Sequence, residues 1–122
     1  MGSHPINLGI RFLLELAALY SMGLWGWKQS EGPLRYLLAL GIPVLFAIAW
    51  GTFAVPDDPS RSGAAPIPVP GFLRLLLELA FFFVAAWMLH NVGLTTQACV
   101  FGVIVLVHYV VSYDRILWLL KQ

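Results

Sequence analysis

Residues 6–27 read INLGIRFLLELAALYSMGLWGW, an apolar run whose only charges are Arg11 and Glu15. About 20 residues at a rise of about 1.5 Å cross a hydrocarbon core of about 30 Å, so this run has the length of a transmembrane helix. Three more follow, at about 34–55, 71–92 and 96–120. The chain of 122 residues is 60% hydrophobic and 11% charged, with a mean hydropathy of +0.83. Soluble domains carry roughly 25% charge, and a soluble fold of this size has no interior large enough for so much apolar surface. The expected fold is therefore all-α: an integral membrane four-helix bundle forming one transmembrane domain over residues 1–122.

Proline marks the boundaries. Pro5 and Pro33 precede the first two spans, where the missing backbone donor costs nothing. The turn from Lys28 to Gly32 is short enough to make its flanking spans antiparallel neighbours. Residues 56–70 hold five prolines with Asp57, Asp58 and Arg61, and read as an extended, cytoplasmic linker. Pro43, in mid-span, removes the donor that would bond the carbonyl of Ala39.

Inside these spans a segment recurs. Arg11-Phe12-Leu13-Leu14-Glu15-Leu16-Ala17 returns 63 residues later as Arg74-Leu75-Leu76-Leu77-Glu78-Leu79-Ala80, identical at six of seven positions. Leucine and alanine matches are common among membrane spans, whereas Arg and Glu matches are not. The pattern predicts two tandem two-helix repeats. Because each unit has an even number of spans, the copies enter from one side, with a pseudo-two-fold axis along the membrane normal. Arg11, Arg61, Arg74, Arg115 and Lys121 fall on the side of the termini and middle loop, against Lys28 and Arg35 opposite. That asymmetry predicts cytoplasmic termini.

Ionisable residues within a span are functional candidates by default. Arg11 and Glu15 are one helical turn apart, as are Arg74 and Glu78, so each pair can meet along its own helix. Ala18, Met22 and Gly26 share the face of Glu15, which suits close packing; Leu14 is expected to point away from that stripe. His108 is expected at a similar depth in the fourth span. Glu15, Glu78, Arg11, Arg74 and His108 thus form the candidate ligand-binding or proton-carrying site. The plainer reading is that the Arg-Glu pairs neutralise each other and tie the helices together.

Several classes are excluded. A net charge of +1 with no basic cluster does not fit nucleic acid. A single cysteine, Cys99, and three separated histidines give neither a disulfide nor metal-ligand spacing. No cofactor, catalytic residue or metal site is expected. The first run is too long for a signal-peptide core and lacks a small-residue cleavage site, so it reads as a retained span.

The stretch from Asn7 to Ala18, with Trp25-Gly26-Trp27, the segment Trp50-Gly51-Thr52-Phe53-Ala54-Val55-Pro56 and the run Arg74 to Ala80, resembles the YrdB-like family of small bacterial membrane proteins of unknown function. The resemblance implies a bacterial inner-membrane location and no particular activity. Small multidrug-resistance transporters are similar in outline, with four spans and a glutamate in the first, but lack the preceding arginine. Three readings stand: binding or transport of a small or apolar ligand at the Arg-Glu sites, a structural or partner-docking bundle, and a membrane enzyme acting on a lipid-like substrate. The expected partners are the lipid bilayer, a small-molecule or lipid ligand, and a second copy of the chain through faces such as Gly41, Gly51 and Gly102.

Overall fold

The computed structural model describes residues 5–56 and 65–122. These fold into α1 (Pro5–Lys28), α2 (Leu34–Thr52), the short strands β1 (Phe53–Ala54) and β2 (Ile67–Pro68), α3 (Gly71–Asn91), α4 (Thr95–Val111) and α5 (Tyr113–Leu120). Among the described residues α1, α2 and α3 are each long and apolar enough to cross a membrane, and α4 with α5 passes the same test as one bent unit. The fourth expected span is thus two helices, turned by 69° at Ser112. Asp114 in the first turn of α5 favours the break, because a negative side chain complements the positive end of a new helix dipole.

The core lies between α1, α3 and α4. Leu14, Ala18 and Met22 of α1 meet Phe81, Phe82, Ala85 and Met88 of α3, and Ala98, Phe101, Val105 and Tyr109 of α4. On α1 the buried positions run Asn7, Arg11, Leu14, Ala18, Ser21, Met22 and Gly26, the three- and four-residue spacing of a helix packed along one stripe. Ala18, Met22 and Gly26 are buried as expected, and the correction falls on Leu14 and Glu15. Leu14 is buried, Arg11 lies on the axis, and Glu15 sits at the edge with its side chain 23% exposed. The large Leu14 decides this, because its burial removes far more apolar surface than Glu15 could.

Helix α2 has no buried residue and packs mainly on α1. The approach is close. A Cβ on Gly26 would lie 2.6 Å from the carbonyl carbon of Leu38, and one on Gly23 would lie 3.1 Å from the carbonyl oxygen of Ala39. That oxygen is the acceptor deprived of its helical donor by Pro43. Glycine lets α1 come within reach of it. Helix α3 ends in a Schellman turn: Leu94 donates to the carbonyl of Leu89 at 2.9 Å, Gly93 donates to that of His90 at 3.0 Å, and Gly93 takes the required positive φ of 91°.

Only the ends of the expected linker fall among the described residues; 57–64 lie outside them. One end departs from the expected solvated extension by pairing with residues expected in the second span, whose helix stops at Thr52. Strands β1 and β2 run parallel, Phe53 beside Ile67 and Ala54 beside Pro68, and Val69 donates to the carbonyl of Ala54 at 2.9 Å. This ladder anchors the end of α2 beside the start of α3.

Candidate functional site

Four helices deliver polar side chains to one point near the ladder. Glu78 of α3 has no solvent exposure, which is costly for a carboxylate unless its oxygens are paired. They are paired from four sides. Arg74, one turn earlier, donates from Nε to Oε2 at 2.9 Å. Arg115 of α5 donates from Nη2 to the same oxygen at 2.5 Å. Tyr109 of α4 donates its hydroxyl to Oε1 at 2.8 Å, and Arg11 of α1 brings Nη2 to 2.7 Å from Oε1 as an ion pair, outside good hydrogen-bond alignment.

Arg74 also caps α2. The last carbonyls of a helix have no partner within it, and the end of α2 carries the negative pole of its dipole. Nη1 of Arg74 donates to the carbonyl of Trp50 at 2.5 Å and to that of Phe53 at 2.7 Å. Its guanidinium lies 4.4 Å from the centroid of the Trp50 ring, a cation–π distance. Arg74 therefore satisfies a carboxylate, a helix end and an aromatic face at once.

Arg11 links the two glutamates. Its Nε is 3.4 Å from Oε1 of Glu15 in α1, while its Nη2 pairs with Glu78 of α3. The two Arg-Glu pairs thus adjoin, but they are unequal: Glu78 is sealed and Glu15 is partly open. The expected meeting of Glu15 and Glu78 takes place through Arg11. Arg11 also stands 5.4 Å from the Trp50 ring centroid and 6.0 Å from that of Tyr109.

His108 lies beside Tyr109, the ring centroids 5.6 Å apart. It is 5% exposed, and neither of its ring nitrogens has a hydrogen-bond partner among the described residues. Nη1 of Arg11 is buried in the same condition. Ser112, one turn beyond His108, instead accepts from Nδ2 of Asn7 at 2.6 Å, tying α1 to the bend between α4 and α5. The sequence reading missed Asn7, Tyr109 and Ser112 as site residues. Arg115 enters the sequence reading only through the charge asymmetry, because the 69° turn that brings it inward is not visible in the sequence.

Tyr109→Phe removes one donor while the ring keeps its packing against Phe82. The expected cost is about 1–2 kcal/mol, the penalty of weakening one hydrogen bond to a buried charged group. Unfolding by SDS in mixed micelles checks it.

A family model described as "Protein of unknown function (DUF2568)" matches residues 9–106 of the chain. The chain belongs to this family. The DUF2568 match takes in both Arg-Glu pairs and ends before His108, Tyr109 and Arg115. The chain is also 44% identical over 116 residues to the uncharacterized protein YrdB of Bacillus subtilis (strain 168), covering 95% of this chain and 94% of that one. No solved structure matches.

Proposed function

We propose that the chain is a multi-pass protein of the bacterial inner membrane, both termini cytoplasmic, that binds a small ligand bearing an oxygen acceptor at the Arg11 edge of the polar centre. One observation carries the reading. Arg11 Nη1 and both ring nitrogens of His108 are buried without hydrogen-bond partners among the described residues, beside a Glu78 whose oxygens are already taken. Each unsatisfied buried polar group costs about 1–3 kcal/mol. A guanidinium only donates, so the missing partner is an acceptor, and an anionic one forms the stronger bond. Carboxylate exchange in a transport cycle would fall to Glu15, the more open of the two.

The structural reading is favoured by Glu78 itself, whose partners come from four helices. The two readings assign different residues: Glu78, Arg74 and Arg115 hold the bundle, whereas Arg11 and His108 face the ligand. The test is stability in mild detergent against acetate or inorganic phosphate, at constant ionic strength with chloride as control. Ligand binding to the folded state alone raises stability by about 2.7 kcal/mol at a hundredfold excess over Kd. The wild type is expected to melt at a higher temperature with the oxyanion, and His108→Ala to lose that gain. An equal melting temperature in all three salts would sink the reading.

A further inference from the structure

We propose that the ligand is a single-chain anionic amphiphile, its head against Arg11 and His108 and its aliphatic chain along the groove between α1 and α4. This rests on the ligand-binding reading above and names the substrate class for that same edge. Helices α1 and α4 are antiparallel neighbours whose register is set by the Asn7–Ser112 hydrogen bond. Four residues on in α1 and four back in α4, that register places Arg11 level with His108. One further turn brings Leu14 level with Ile104, and there a groove of about 470 Å³ begins.

The groove runs past Leu14, Ala17 and Ser21 on one wall and Ile104 and Val100 on the other, and reaches Leu94 in the turn between α3 and α4. At about 1.5 Å per residue, the seven residues from Leu14 to Ser21 span about 10 Å. Its walls are almost wholly apolar, and Ile104 and Val100 are 43% and 53% exposed, so it opens sideways to the bilayer. A cleft between one pair of helices, closed at one end by a turn, accepts one chain rather than two. Charge complementarity selects the head. Arg11, three residues before Leu14, and His108, four residues after Ile104, carry an Nη1 and two ring nitrogens without hydrogen-bond partners among the described residues. The groove of about 320 Å³ between α3 and α4 has no such end: its polar residue is Tyr109, whose hydroxyl is already given to Glu78.

Native mass spectrometry from a non-ionic detergent tests the assignment, with hexadecanoate, hexadecanol and dioleoyl phosphatidic acid as probes. Hexadecanoate is expected to bind at least tenfold more tightly than hexadecanol, and His108→Ala to erase most of that difference. Ala17→Phe and Val100→Trp, which fill the groove without touching the polar centre, are expected to weaken hexadecanoate at least tenfold while leaving stabilisation by acetate or phosphate intact. Equal binding of acid and alcohol overturns the inference, as does tighter binding of phosphatidic acid that is insensitive to both groove variants. If the small oxyanions stabilise the protein but the groove variants leave hexadecanoate unchanged, the inference fails and the ligand-binding reading stands. If neither small oxyanions nor hexadecanoate bind, both fail.

Discussion

Glu78→Gln is expected to cost about 3–5 kcal/mol of stability, the range for removing one partner from a buried ionic cluster, while Glu15→Gln costs about 1 kcal/mol or less. The difference comes from placement rather than chemistry. Glutamine in place of Glu78 retains the shape but not the charge, and leaves Arg11, Arg74 and Arg115 facing a neutral amide that brings its own donor toward them. Helices α1, α3 and α5 each lose a charge-assisted link at one stroke. Glu15 touches one of these arginines at 3.4 Å and is part exposed, so its loss resembles that of a surface pair. Paired SDS-unfolding titrations in mixed micelles measure both. Equal costs for the two variants would mean that the unequal burial of the two glutamates does not govern their energetics.

That contrast marks how far the sequence could be read. The four apolar segments and the contact within each Arg-Glu pair follow from spacing alone, because segment length and one-turn periodicity are local properties. Which glutamate is sealed is not local. The two copies are identical at six of seven positions, so nothing within the motif distinguishes Glu15 from Glu78. Their environments differ through Tyr109 and Arg115, which follow Glu78 in the chain by 31 and 37 residues. Arg74 illustrates a readable signal that went unused. A helix ending near Thr52 exposes carbonyls that need donors, and a buried arginine in the next span was the nearest candidate. The pairing of β1 with β2 carried no comparable signal, being two residues long on each side and spanning a proline-rich segment.

The start of α3 sets the other large effect, since Gly71→Ala is expected to displace α5 and to lower stability through Arg115. A Cβ built on Gly71 would lie 1.5 Å from the carbonyl oxygen of Leu119 and 2.4 Å from its carbonyl carbon. No rotamer relieves a backbone clash, so α5 must move. Overpacking typically costs about 1–3 kcal/mol, and a backbone obstacle places this case at the upper end. Leu119 and Arg115 are one turn apart on the buried face of α5. Pushing Leu119 away therefore draws the Arg115 guanidinium off Glu78, an effect 44 positions along the chain from the substitution. A double-mutant cycle isolates it: Gly71→Ala and Arg115→Ala are each destabilising, and together cost less than their sum by about 0.5–3 kcal/mol. Strict additivity would show that α5 yields at Leu119 without loosening Arg115, and that the bend at Ser112 absorbs the displacement instead.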